Sequence, residues 1–204
     1  MRRAIVGVTL LAGVAMLTLT LHLEPGDETF VLTALATAAI WAVGARACGP
    51  LAMRGPTALG RQAGIAAAFG SMALLLCLAV GVVVSDIPFL AEPAEDLLAH
   101  RGTAALPVMV LITALNGVGE EMYFRGALYD TVSARLAWII TAVAYTGATL
   151  PSGILLLSAA AALLGVLTGL LRRATDGLLA PIVAHLIWSL GMLFLLPFVL
   201  VPGS

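Results

Sequence analysis

The chain contains no lysine; its 10 basic residues are all arginine, against 11 acidic ones, for a net charge of −1. Without a basic excess there is no electrostatic footprint for nucleic acid, which is excluded as a partner. Charge of either sign is scarce, at 10% of residues. A soluble globular domain carries about a quarter. Cysteine is nearly absent: Cys48 and Cys77 are far apart and form no CxxC. Cys77 stands inside an apolar run and reads as a small packed side chain, not as half of a disulfide. No solenoid-type repeat is present.

What remains is apolar. Hydrophobic residues make up 61% of the 204, and the mean hydropathy is +1.09. That composition predicts an all-α fold, a polytopic transmembrane helical bundle forming a single integral membrane domain over 1–204. The lipid bilayer is then the first partner. An arginine-only basic set with a heavy alanine load points to a bacterial source, and so to a multi-pass protein of the bacterial inner membrane. The first apolar run, Ala4–Leu23, is 20 residues long and lacks a small-x-small cleavage site near its end. A signal-peptide core is shorter, about 7–15 residues, so this reads as a retained first helix.

Seven spans follow from the apolar runs, at roughly 4–22, 29–47, 63–85, 103–128, 135–150, 153–171 and 177–201. The uncharged run 136–171 is too long for one helix, and Pro151-Ser152-Gly153 divides it. With a cytoplasmic N-terminus, Arg2, Arg3, Arg46, Arg54, Arg61, Arg125, Arg135, Arg172 and Arg173 all fall inside and only Arg101 outside. An added or missing helix would invert half of them. Residues 85–102 then form an external loop containing a short surface helix, PAEDLLAH. Residues 49–62 form a short cytoplasmic loop. The GxxxG at 165–169 reads as close helix packing.

The stretch NGVGEEMYFRGALYD, residues 116–130, breaks this pattern. Glu120, Glu121 and Arg125 follow 18 uncharged residues. A charge near the bilayer centre costs at least ~2.5–3.5 kcal/mol, so each of the three demands a partner or a wet cavity. Glu121 and Arg125 stand at i,i+4 with the acid first, the favourable order for a helical ion pair. Glu120 lies ~100° around the helix, on a face with Asn116 and Phe124. It is the carboxylate left over for work as a general base. The plainer reading is a stop-transfer flank in the headgroup zone. Met122, Tyr123, Phe124, Ala127 and Leu128 continue the apolar pattern and speak against it. His185 is the other ionisable group inside a span, while His22 and His100 fall outside. It lies ~12 Å from the cytoplasmic end of its helix, as Glu120 does from Leu128. Matching depth on two helices predicts one shared site.

At this point the residues resemble a family. EEMYFRG, 120–126, is similar to the EExxxR signature of the CAAX prenyl endopeptidase and bacteriocin-processing family, also called ABI or CPBP. GLLAPIVAHLIWS, 177–189, is similar to that family's third motif, HxxxN preceded by GxLAPIxxH. The resemblance covers a core of roughly 103–195, and residues 1–100 match only as variable apolar helices. It implies an intramembrane protease. Glu120 would activate water, Glu121 and Arg125 would complete the first motif, and His185 would be the third-motif histidine. The second motif, FxxxH, departs: Tyr145 stands for the phenylalanine and Thr149 for the histidine. Ser189 replaces the third-motif asparagine. Thr149, Ser189, Asn116 and Tyr145 are thus expected as substrate or oxyanion supports. A catalytic zinc wants three protein ligands. Here a divalent metal such as zinc would have only Glu120 and His185 to rest on, because Thr149 replaces the histidine and Glu121 is paired. No cofactor is therefore assigned.

Three functions stay open on these residues. The first is a membrane endopeptidase acting on a peptide or membrane-protein substrate near the cytoplasmic face. The second is a non-catalytic relative that binds a peptide or membrane partner. The third is a small transporter built on the buried carboxylate and histidine; the absence of inverted repeats and paired broken helices ranks it last.

Overall fold

The computed structural model describes residues 1–102 and 104–200. The expected helix boundaries at 103 and 201 lie outside them. Among the described residues every regular element is helical. The order is α1 Arg2–Leu21, α2 Phe30–Ala47, α3 Leu59–Val84, α4 Pro88–Ala99, α5 Leu106–Glu121, α6 Ala137–Thr149, α7 Leu155–Thr175, α8 Leu179–Leu195 and α9 Pro197–Leu200. Four of them, α1, α2, α3 and α7, are long and apolar enough to cross a membrane. At 1.5 Å per residue α6 reaches only ~20 Å, short of a ~30 Å hydrocarbon core. The break expected at 151–153 is there. A short 3₁₀ turn, Leu150–Ser152, ends α6, and Gly153 takes a left-handed φ of 74° that a glycine adopts without strain.

The helix expected over 103–128 is not uniform. α5 gives way at Met122 to a π-helical segment, Met122–Leu128, followed by a 3₁₀ turn, Tyr129–Thr131. π-helical turns concentrate at functional sites, and this one carries Arg125. Periodicity of apolar residues does not reveal it, because the hydrophobic face continues through the segment. The surface helix expected near PAEDLLAH exists but starts earlier, at Pro88, which suits a first helical turn.

Contacts fix how the helices run. α1 and α2 are antiparallel: Thr20 meets Thr37 hydroxyl to hydroxyl at 3.3 Å, and Trp41 packs over Gly13. α2 and α5 run parallel, with Ala34 beside Asn116 and Ala38 beside Gly119. α3 and α8 also run parallel, through Gly70 on Ala184 and Leu74 on Gly191. In the GxxxG, a Cβ on Gly165 would lie 3.2 Å from the backbone of Ala142, and one on Gly169 3.0 Å from that of Trp138. The motif therefore lets α7 lie close on α6 within one chain. Both cysteines are free.

Candidate active site

The site forms where α5, its π-helical extension, α6 and α8 converge. Glu121 is fully buried, and its Oε1 accepts two hydrogen bonds. One comes from Arg125 Nη1 at 3.0 Å and the other involves His185 Nδ1 at 2.8 Å. A carboxylate held by a guanidinium only accepts, so the Nδ1 of His185 carries the proton and donates it. In the neutral ring Nε2 is then left as an acceptor. It faces Glu120 Oε2 across 3.8 Å. Glu120 Oε2 accepts a hydrogen bond from the Tyr145 hydroxyl at 2.7 Å. The imidazole of His185 thus stands between the two glutamates, one at each ring nitrogen.

Arg125 is also fully buried. Its Nη2 donates to the carbonyl of Gly165 at 3.0 Å, and its guanidinium lies 4.8 Å from the centre of the Tyr145 ring. Gly165, the small residue that brings α7 against α6, offers its own carbonyl to this charge. The π-helical segment is pinned from outside as well. Arg172 Nε donates to the carbonyl of Arg125 at 3.0 Å, while its other nitrogens bind Asp176 and Asp130. Gly117 leaves room for the imidazole: a Cβ there would lie 3.2 Å from His185 Cδ2.

The other expected residues divide. Tyr145 reaches Glu120. Phe124, expected on the Glu120 face, is buried against Tyr145 and Trp41. Asn116 donates to the carbonyls of Ala34 and Ile112, at 3.0 and 2.9 Å, and so ties α5 to α2, although it also borders the cavity. Thr149 donates to the Thr146 carbonyl and sits 3.3 Å from the Ser158 hydroxyl. It lines the cavity without a bond to Glu120. Ser189 lines it too, and its buried hydroxyl has no partner among the described residues.

Sequence spacing pairs Glu121 with Arg125, and matching depth pairs His185 with Glu120. The structure adds a second His185 contact, through Nδ1 to Glu121. Sequence spacing relates residues on one helix, and His185 arrives from another. The tyrosine hydroxyl on Glu120 had a signal, since tyrosine differs from the family's phenylalanine by that one oxygen.

The donor set does not make a three-ligand metal centre. Among the described residues no group of three or more His, Cys, Asp and Glu side chains is placed to hold a metal ion, and a catalytic zinc wants three protein ligands. Glu121 is already committed to Arg125. What the arrangement can do is hold a water. A water ~2.8 Å from both Glu120 Oε2 and His185 Nε2 bridges their gap with ordinary hydrogen bonds. Two bases then flank one water. All of this faces a cavity of about 560 Å³ with mostly apolar walls.

Comparison with curated proteins and with solved structures finds no match to the chain. Residues 102–191 match the family model described as type II CAAX prenyl endopeptidase Rce1-like, and this segment holds Glu120, Glu121, Arg125, Tyr145, Thr149, His185 and Ser189.

Proposed function

We propose that the protein is a membrane endopeptidase that cleaves a peptide bond with a water activated by Glu120 and His185. The observation that carries this is the 3.8 Å separation of Glu120 Oε2 from His185 Nε2, with Nδ1 of the same ring anchored on Glu121. Glu120 takes a proton from the water as its oxygen attacks the peptide carbonyl carbon. The new C–O bond forms and the carbonyl electrons move onto oxygen. Collapse of this intermediate breaks the C–N bond, and the proton passes to the departing amine through Glu120 or His185. The Tyr145 hydroxyl, on Glu120 in the resting site, and the Ser189 hydroxyl are the donors that would meet the developing oxyanion. The chemistry draws on these side chains and assigns no step to a metal. Around it we place seven spans, a cytoplasmic N-terminus, a bacterial inner membrane and one integral domain whose core is 103–195.

The test is Glu120→Gln, assayed with a peptide library with and without a chelator. Cleavage is expected to vanish in the variant and to survive the chelator. Unchanged cleavage by Glu120→Gln would sink the mechanism, and loss with the chelator would restore a metal to it.

Thr149 favours a second reading, a non-catalytic relative that holds a peptide or membrane partner. Its hydroxyl is spent on Thr146 and Ser158, so the second-motif position adds nothing to water activation. Binding without cleavage, unaffected by Glu120→Gln, is the result that reading requires.

A further inference from the structure

We infer that the site is reached from one side only, the face of the bundle that carries α4, by an extended apolar peptide stretch. The peptide as occupant rests on the peptidase reading; the direction of access does not. The cavity is a shaft with a floor. On α5 its lining includes Met109, Ile112, Asn116 and Glu120, and nothing in that helix beyond Glu120. On α8 it begins at His185 and continues through Ser189 to Leu193, with nothing before His185. The two helices are antiparallel, since Gly117 meets His185 while Met109 and Leu193 share a cluster. Both therefore put the cavity on the same side of the Glu120–His185 pair. From Glu120 to Met109 the shaft is ~16 Å long at 1.5 Å per residue. That is room for about five extended residues at ~3.3 Å each.

The opposite side is sealed. Beyond the floor, Phe124, Arg125 and Ala184 are buried. The loop between α2 and α3 is clamped onto the start of α8 and onto Gly126. Backbone N–H groups of Leu178 and Leu179 donate to Ala52 and Met53 at 3.0 Å, and the Gln62 amide donates to Thr57 at 2.6 Å. Leu51 of this loop packs on Gly126. The site thus lies nearer the N-terminal face and is closed to it. The mouth is different. α4 supplies Ala94, Leu97 and Leu98 to the shaft, and Arg101 follows at the rim. Pro93 removes one donor from the α4 ladder. α4 lies at the mouth and the clamped loop at the floor.

Cys77 reports on this directly. It lines the shaft, with its sulfur 3.4 Å from the indole nitrogen of Trp188, one helical turn from His185. The full chain is placed in sealed proteoliposomes, and its orientation is read from protease access to an N-terminal tag. A small charged methanethiosulfonate that does not cross the bilayer is added to one face at a time. Cys48→Ala leaves Cys77 as the lone thiol. Mass mapping of the unsubstituted chain reads Cys77 apart from Cys48 without any substitution. Labelling from the α4 face is expected to be at least tenfold faster than from the N-terminal face. A capped leucine–alanine pentapeptide on the α4 face is expected to slow it severalfold. Equal or faster labelling from the N-terminal face, or none from either, overturns the direction of access. Labelling from the α4 face that the pentapeptide does not slow overturns the peptide occupant. Neither readout uses catalysis, so failure here is distinct from failure of the peptidase reading in the Glu120→Gln assay.

Discussion

His185 Nδ1 lies 2.8 Å from Glu121 Oε1, the oxygen that also receives Arg125 at 3.0 Å. The second glutamate of the pair is thus the group that orients the imidazole. Glu121→Gln tests this. An amide can present N–H to Nδ1 and reverse the tautomer, so that Nε2 carries the proton and no longer accepts from water. Loss of the correct tautomer costs about 10⁴ in acyl-transfer triads. A fall of that order in kcat for peptide cleavage is expected, with the reversed tautomer visible in the ring ¹⁵N shifts of His185. Full activity would reduce Glu121 to a counter-ion for Arg125.

Arg125 predicts a different signature. It is buried with Glu121, and it also holds the Gly165 carbonyl. Arg125→Met leaves a buried carboxylate without its cation, a change that costs ~3–5 kcal/mol. A lowered thermal midpoint in detergent is expected along with lost activity. The double variant Arg125→Met, Glu121→Leu should recover much of the stability and none of the cleavage. If the single variant melts like the parent, the pair is not the structural bond that its burial implies.

Tyr145→Phe separates packing from chemistry. The ring stays against Phe124 and the Arg125 guanidinium, so the fold should hold within ~1.5 kcal/mol, the scale of one hydrogen bond. The hydroxyl on Glu120 is lost. Removing one donor aimed at a developing oxyanion costs ~10²–10³ in kcat, and a drop in that range with KM nearly unchanged is expected. An unaltered kcat would leave Tyr145 a packing residue.

Part of this site is legible in the amino-acid sequence. The i,i+4 spacing of Glu121 and Arg125 is a property of one helix, and their contact follows from it. The pairing of His185 with Glu120 is legible too from depth counted along each chain segment, although the stretch from Glu120 to Leu128, counted at an α-helical rise, is π-helical from Met122. Sequence spacing carries the local order of one chain segment. The contacts that decide roles cross between helices: His185 to Glu121, Tyr145 to Glu120, and Asn116 away to Ala34. The π-helical pitch at Met122–Leu128 leaves no mark in a hydrophobic pattern that continues through it. The clamped 49–58 loop is invisible for a similar reason. Its bonds run through backbone carbonyls of Ala52 and Met53, which any residue possesses.

Ser189 offers the last test, because its position separates stability from function. Its hydroxyl is buried, has no partner among the described residues and lines the cavity. A buried hydroxyl without a partner carries a desolvation penalty, so Ser189→Ala should hold or slightly raise the thermal midpoint. If the hydroxyl meets the substrate, the same variant loses ~10²–10³ in kcat, the cost of one missing donor. Thr149→Val is the matched control, since that hydroxyl is bonded to Thr146 and Ser158. It should cost stability of about 1 kcal/mol and leave kcat within a few-fold. Ser189→Asn puts the family's side chain back in the third motif. An amide N–H₂ at that place reaches further than a hydroxyl and offers two N–H donors, and kcat is expected to rise. Should Ser189→Ala keep full activity and Ser189→Asn gain none, oxyanion support must come from Tyr145 alone.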